Sequence, residues 1–164
     1  MRISFDGILL LKMLAALSVS IIIHEHAHAI AALVLGQGST IVGLGRVGKP
    51  VLARWQIGPI QYFVHLDWIS PFFGYYQNKI SGWRCRVSAA TPLLLAMFLG
   101  AVWRTDIAEF FRHWAAGRSG ELRGTSFWVL IVAELLMVAV FGLIPTRYFK
   151  GMTSDGTRIF GRSR

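Results

Sequence analysis

The sequence predicts an α-helical integral membrane protein with about three transmembrane helices, a small membrane-associated β-sheet or hairpin and an interfacial amphipathic helix. Its 164 residues are 54% hydrophobic and only 15% charged, and the mean hydropathy is positive. Charged residues supply about a quarter of a typical soluble domain, so this chain lacks the polar surface that such a domain needs. The low charge and the aromatic content also exclude a disordered chain, and the single cysteine excludes an intrachain disulfide framework.

Three apolar stretches approach the roughly 20 residues that a helix needs to cross a bilayer. We expect spans over about 8–35, 87–103 and 126–144, within a single membrane domain over 1–164. The first stretch exceeds the length of a signal peptide and lacks a small-residue cleavage site, so we interpret it as a retained span. Pro145 ends the third stretch, because proline removes a helix donor.

The segments between the spans predict two further elements. A β-rich loop over 36–70 contains repeated glycines, and apolar and polar residues alternate from Ile60 to Trp68 with a period of two. This alternation predicts a strand, which must lie at the interface or within the protein because an unpaired edge cannot face lipid. Residues 104–116 carry an apolar stripe at helical spacing, which is typical of an interfacial helix.

The lysines and arginines indicate an orientation. The N-terminus and 104–124 share one side of three spans and hold six of these residues, whereas 36–86 and the tail hold eleven. The positive-inside rule therefore places the C-terminus in the cytoplasm and the N-terminus outside. Because the basic residues are interspersed among apolar runs, we expect the net charge of +9 to serve contact with the lipid bilayer and not nucleic acid.

The first span contains H-E-H-A-H at 24–28, which includes the pattern H-E-x-x-H. On a helix, His24 and His28 lie one turn apart on the same face, so their imidazoles can converge on one metal ion. Neutral imidazole suits Zn²⁺, and Glu25 can act as general base on a water at the metal. The alternative is a set of histidines that hydrogen-bond inside a bundle. Ionisable groups at membrane depth cost about 2.5–3.5 kcal/mol each, which favours a shared metal site.

A catalytic zinc usually has three protein ligands, so a third is expected elsewhere. Asp155 lies ten residues beyond Pro145 and on the same side as the end of the first span, so the chain could fold back to the histidines. Glu134 lies inside the third span, where it could face the metal or pair within the bundle. His65 and Asp67 share one face of the predicted strand, where solvation is the default explanation.

These motifs resemble the site-2 protease family of intramembrane zinc peptidases. The resemblance covers most of 15–160 and rests on H-E-x-x-H in a span, a β-rich membrane loop, A-A-T-P at 89–92, and G-L-I-P at 142–145 followed by S-D-G at 154–156. It implies a three-span site-2-protease-like core with His24 and His28 as ligands, Asp155 as third ligand and Glu25 as general base. It also implies cleavage within a substrate's transmembrane helix. Where the family often has asparagines, this chain has Gly142 and Leu94 or Leu95.

The predicted function is therefore an intramembrane zinc metalloprotease whose partner is the transmembrane helix of a membrane-protein substrate. The alternative is a zinc-binding membrane protein without hydrolysis, either a metal transporter or an inactive homologue that binds helices. Within the spans, Glu134 is the single further carboxylate that could line a transport path, and the presence of Glu25 argues against an inactive protein.

Substrate binding has a candidate in the predicted strand. An edge strand carrying Ile60, Tyr62 and Val64 could capture the unwound substrate as an added strand. The alternative is a structural hairpin that shields the site.

Overall fold

The computed structural model describes residues 7–46, 48–67, 74–77, 79–145 and 154–160. The helices in these ranges are α1 (Gly7–Val34), α2 (Gly82–Val102), α3 (Arg104–Ala115), α4 (Ser119–Arg123), α5 (Phe127–Gly142) and α6 (Asp155–Phe160). The strands are β1 (Thr40–Leu44), β2 (Val51–Ile57), β3 (Ile60–His65) and β4 (Gly74–Gln77), and all of them lie between α1 and α2 in the chain. The protein is thus mostly helical, with one small sheet.

Two helices are long and apolar enough to cross a membrane. They are α1, with 28 residues, and α2, with 21 residues, which begins five residues before the expected start at 87. The third expected span corresponds to α5, an apolar helix of 16 residues. Its length of about 24 Å is less than the roughly 30 Å of a bilayer's hydrocarbon core. By length, the described helices therefore supply two of the three expected spans.

The helices α1, α2 and α5 pack against one another through small side chains. Ala16 and Ser20 of α1 are fully buried, and the Ser20 hydroxyl lies 2.8 Å from the carbonyl oxygen of Ile131 on α5. Nearer the C-terminal end of α1, the Ser88 hydroxyl of α2 donates to the His28 carbonyl at 3.1 Å. Small residues with hydroxyl groups let helix backbones approach closely where no water is present to solvate them.

Apolar side chains remain exposed along the outer surfaces of α1 and α2. Only 28% of the most apolar window of α1, and 22% of that of α2, is buried inside the protein. The exposed residues on these helices include Ile8, Leu11, Ile30, Val34, Trp83, Leu94, Met97, Phe98 and Val102. A core helix of a soluble protein would instead be mostly buried, so these surfaces are suited to contact lipid.

The short helices α3 and α4 lie near the N-terminal end of α1. Ile107 and Phe110 of α3 are buried in the apolar core, whereas Phe111 and Trp114 are partly exposed, so α3 is the amphipathic helix that the sequence predicts. The Lys12 ammonium donates to the carbonyls of Arg123 at 3.2 Å and of Thr125, at the end of α4. A cation at the C-terminal carbonyls of a helix is favourable, which explains a lysine inside an apolar run.

The four strands form one sheet in the order β2-β3-β1-β4. β3 pairs with β2 antiparallel and with β1 in parallel, while β4 pairs with β1 antiparallel. The prediction that Ile60, Tyr62 and Val64 belong to an edge strand is therefore wrong, because both sides of β3 are already hydrogen-bonded. Trp68, at the end of the expected strand, lies outside the described residues. Within the described part of the chain, the outer strands are β2 and β4.

Candidate metal centre

The predicted ligands His24, His28 and Asp155 meet at one point in the fold. Nε2 of His24 and Nε2 of His28 lie 3.2 Å apart, and each lies 3.1 Å from Oδ2 of Asp155. The three atoms thus form a nearly equilateral triangle and could hold a metal ion. Within the described ranges, this is the one group of three histidine, cysteine or acidic side chains whose ligand atoms lie close enough together to hold a metal ion.

The orientation of His28 is fixed by the second transmembrane-length helix. Its Nδ1 lies 2.8 Å from the Ser88 carbonyl oxygen, and because a carbonyl can only accept, Nδ1 carries the proton. Nε2 is thus the ring nitrogen that faces Asp155 and His24, and with a metal bound the neutral ring would offer the metal its Nε2 lone pair. A metal-binding histidine typically donates its other N–H to a carbonyl or carboxylate in this way. The surroundings of His28 therefore match those of a metal ligand.

Asp155 is the first residue of α6 and approaches the two histidines from the opposite end of the chain. Its side chain is 14% exposed. Burial raises the pKa of this carboxyl, but the hydrogen bonds and charges of His24 and His28 outweigh burial and hold the pKa well below its usual range. Asp155 is therefore a carboxylate at neutral pH, which is the form that binds metal ions.

Glu25 lies beside the triangle with a buried carboxyl group. Among the described residues, its Oε2 and Nδ1 of His24 are buried side-chain atoms without a hydrogen-bond partner. Leaving such an atom unpaired costs about 1–3 kcal/mol, and unpaired polar groups in native proteins often mark a functional site. His24, His28, Asp155 and Arg158 are ionisable side chains near Glu25. Arg158 lies on α6, and the sequence alone gave no reason to select it.

The other predicted candidates for the third ligand lie away from the cluster. Glu134 is buried in α5 but is not part of the triangle. Nδ1 of His65 lies 2.9 Å from the Lys49 carbonyl oxygen, so this histidine contributes to the sheet. Asp67 accepts from the side chain of Arg46 at 2.6 Å and from its backbone N–H at 3.0 Å, and these bonds lower the pKa of Asp67. Both polar residues of the strand region therefore have structural partners.

His26 links α1, the helix that carries the two candidate histidine ligands, to the sheet. The sequence did not reveal this contact. Its Nδ1–H donates to the Ile22 carbonyl at 2.7 Å, which leaves Nε2 to accept from the Tyr62 hydroxyl at 3.1 Å. Tyr62 in turn stacks on Trp55 of β2, with ring centroids 5.3 Å apart. The period-two pattern around Tyr62 was the only available signal, and it could not identify the partner helix.

The chain was compared with protein-family models, with curated proteins and with solved structures. None of them matches.

Proposed function

We propose that this protein is an intramembrane zinc metalloprotease that hydrolyses a peptide bond within or near the transmembrane helix of a substrate. The observation that carries this proposal is the convergence of His24, His28 and Asp155 beside the buried carboxyl group of Glu25. These residues come from opposite ends of the chain, so their meeting is not a consequence of helix periodicity. The resemblance of the motifs to the site-2 protease family supports the same activity.

The donor set fits zinc. Four ligands at about 2.0–2.1 Å in tetrahedral geometry lie about 3.3 Å from one another, close to the separations of 3.1–3.2 Å between the three donor atoms. Two histidines and one carboxylate also leave a fourth position for water or substrate, as in other zinc hydrolases. When bound, zinc would polarise the scissile carbonyl and lower the pKa of a water molecule to about 7.

The residues of this chain then have separate roles in binding the metal and in transferring protons. His24, His28 and Asp155 hold the metal, and the Ser88 carbonyl keeps the proton of His28 on Nδ1. Glu25 takes a proton from the attacking water and returns it to the leaving amine nitrogen, which is general acid–base catalysis by a single carboxyl group. The burial of these groups keeps bulk water away and strengthens each electrostatic interaction.

The substrate is a transmembrane helix that unwinds at the scissile bond, because a helical peptide bond has its backbone groups already paired. Strand addition would hold such an unwound segment. Since β3 is an inner strand, this role passes to an outer strand of the described sheet, and β4 is the outer strand that packs against α1. The substrate would thus bind along a strand that packs against α1, the helix that carries His24 and His28.

In the bilayer, α1, α2 and α5 act as three spans, with α5 crossing a thinner part of the membrane. Lys12 and the end of α4 mark one membrane face, and the sheet together with the start of α2 marks the other. The larger number of lysines and arginines on the sheet side orients it towards the cytoplasm, with the N-terminus outside. His24 lies about 15 Å from the C-terminal end of α1, so the metal site is nearer the cytoplasmic face.

The test uses the purified full-length protein in detergent and in vesicles. We expect about one zinc per chain, cleavage of a single-span reporter helix, loss of cleavage with a chelator and its return with zinc. Glu25→Gln should retain zinc but reduce cleavage by at least about 100-fold, the contribution of a general base. Glu109→Gln, on the exposed face of α3, is the matched control and should cleave normally.

Four outcomes would contradict the proposal. Undiminished cleavage by Glu25→Gln would refute the assigned general base. Zinc binding without cleavage of any reporter helix would favour the protein that binds helices without hydrolysis, and zinc uptake into proteoliposomes would favour a transporter. A site occupied by iron would refute zinc, since two histidines and one carboxylate also suit Fe(II).

A further inference from the structure

The third ligand is carried by a helix that cannot hold itself in place. α6 has six residues, and isolated helices shorter than about 12–15 residues are marginal in water. Asp155 is its first residue, so the position of Oδ2 depends on what fixes this end of α6 to the rest of the protein. α6 packs against α2, and the residues at its start also contact Gly142, Leu143 and Ile144, at and after the end of α5.

Ser154 makes one of these contacts and one hydrogen bond to the first turn of α6. Its hydroxyl donates to the Ile144 carbonyl at 2.7 Å and accepts from the backbone N–H of Thr157 at 3.3 Å. The second bond satisfies a free donor in the first turn of α6, as an N-cap residue does. Ser154 is 5% exposed, so both bonds are protected from water. One side chain therefore starts α6 and also ties it to the chain after α5.

Gly156 lets α6 lie closer to the Leu143 backbone than a residue with a side chain would. A Cβ at this position would lie 1.9 Å from the carbonyl oxygen of Leu143 and 2.4 Å from its carbonyl carbon. On the other side of Asp155, a Cβ at Gly142 would lie 3.3 Å from Oδ2 of Asp155. The segments 142–145 and 154–156 thus pack directly against each other. Asp155 contacts Gly142 and is followed by Gly156.

We propose that Ser154 and Gly156 are positioning residues that hold the Asp155 carboxylate against His24 and His28. Ser154 sets the angle at which the chain enters α6, and Gly156 sets the distance between α6 and the end of α5. Gly156 has no side chain, and the Ser154 hydroxyl is bonded to Ile144 and Thr157, so we expect both residues to act through Asp155. This inference rests on the proposed metal site and adds two residues to it.

The first test measures the zinc dissociation constant of purified full-length variants by competition with a chelator, and the visible spectrum of the cobalt-loaded protein. Ser154→Ala should weaken zinc binding about 10–100-fold, as expected for residues that orient a ligand, and should change the cobalt spectrum. Ser154→Thr retains a hydroxyl and should restore most of the affinity. If Ser154→Ala binds zinc as tightly as the original protein, the assignment of Ser154 is wrong.

A double-mutant cycle separates positioning from general stability. In an Asp155→Ala background, the change Ser154→Ala should alter the zinc dissociation constant by less than about twofold, because the residue through which it acts has gone. A full additional 10–100-fold loss in this background would show that Ser154 acts by another route and would overturn the proposal.

Gly156→Ala tests the close approach, with Gly120→Ala as its matched control, because no atom lies within 4 Å of a Cβ at Gly120. We expect Gly156→Ala to bind zinc at least about 100-fold more weakly while the circular dichroism of the helices is retained, and Gly120→Ala to bind normally. Normal zinc binding by Gly156→Ala would refute the role of Gly156. If the unmodified protein binds no zinc or cobalt, the proposed function fails, whereas zinc-binding variants that match the unmodified protein refute only the positioning role.

Discussion

His26 and His28 lie on the same helix, and each uses its Nδ1 in a hydrogen bond to a backbone carbonyl. The Nε2 atom of each ring is then available for a different partner. In His28, Nδ1 donates to the Ser88 carbonyl, so Nε2 turns towards Asp155 and His24. In His26, Nδ1 donates to the Ile22 carbonyl of its own helix, and Nε2 meets the Tyr62 hydroxyl on the sheet. The two side chains have the same chemistry, but they lie on different faces of α1. Only one of those faces meets a carboxylate.

Tyr62→Phe tests the contact between α1 and the sheet. The change removes the hydroxyl that bonds to His26, so the free energy of unfolding should fall by about 1 kcal/mol, the typical value of one hydrogen bond. Zinc content should not change, because the metal ligands lie on another face of α1. The measurement is thermal unfolding of the detergent-solubilised protein, together with metal analysis.

Thr91→Val is the control for this variant, since the Thr91 hydroxyl bonds only to the Val87 carbonyl of its own helix at 2.8 Å. It should unfold at nearly the same temperature as the unmodified protein. Loss of zinc from Tyr62→Phe would contradict the separation of the two faces, and unchanged stability would mean that the contact with His26 contributes little.

At the scale of the elements, the geometry of the candidate metal site depends on the close contact between α1 and α5. Ser20 is fully buried where its hydroxyl meets the Ile131 carbonyl, and it lies one turn before His24 on α1. α5 ends at Gly142, where a Cβ would lie 3.3 Å from Oδ2 of Asp155. We therefore expect a change that moves the end of α5 away from α1 to move Asp155 relative to His24.

Ser20→Leu should force these two helices apart. Overpacking a well-packed interior typically costs about 1–3 kcal/mol, and the displaced α5 would draw Asp155 away from the histidines. We therefore expect both a lower unfolding temperature and weaker zinc binding. The matched control is Ser18→Leu on the same helix, because Ser18 is exposed and its hydroxyl bonds only to the Leu14 carbonyl. Equal behaviour of the two variants would contradict a tight contact at Ser20.

The sheet shows the limit of a local pattern. Alternation of apolar and polar residues predicted the strand that begins at Ile60, and β3 does begin there. Its place between β1 and β2 was not predicted, because strand order depends on pairing partners and not on periodicity. Gly58, with a φ of 55°, makes the two-residue turn that folds β2 back onto β3. The turn explains one partner of β3, whereas the parallel partner β1 is decided by the packing of the sheet against α1.

At the scale of the whole molecule, the orientation in the membrane is open to a direct test. We expect the sheet and the C-terminus to face the cytoplasm, because that side holds eleven of the seventeen lysines and arginines. A C-terminal tag should be cleaved by added protease in inside-out vesicles and protected in right-side-out vesicles, and an N-terminal tag should show the reverse. The opposite pattern would place the candidate metal site nearer the outer face. Protection of both tags in the same type of vesicle would contradict three spans, because an odd number of spans puts the termini on opposite faces.

Much of the candidate site could be inferred from short-range chemistry. The spacing of His24 and His28 fixes them on one helix face whatever the rest of the chain does, and Glu25 follows from its place between them. Asp155 required an assumption about how the chain returns to α1, and the resemblance to a family made that assumption specific. Arg158 and Ser88 could not be selected, because nothing in their local sequence distinguishes them from other arginines and serines. Tyr62 was selected only as part of a possible edge strand and not as the partner of His26.

The sequence by itself determined the apolar helices, the pair of histidines one turn apart and the strand around Tyr62, since composition and periodicity act through neighbours along the chain. The tertiary structure decided which carboxylate completes the triangle, that β3 lies inside the sheet, and that α5 stops at Gly142 so that Asp155 can reach the histidines. The first of these features joins atoms more than one hundred residues apart, on His24 and Asp155, and the other two also depend on contacts between separate elements. Close packing at Gly142 and Gly156 sets the position of Asp155, and such contacts are not encoded in any local pattern.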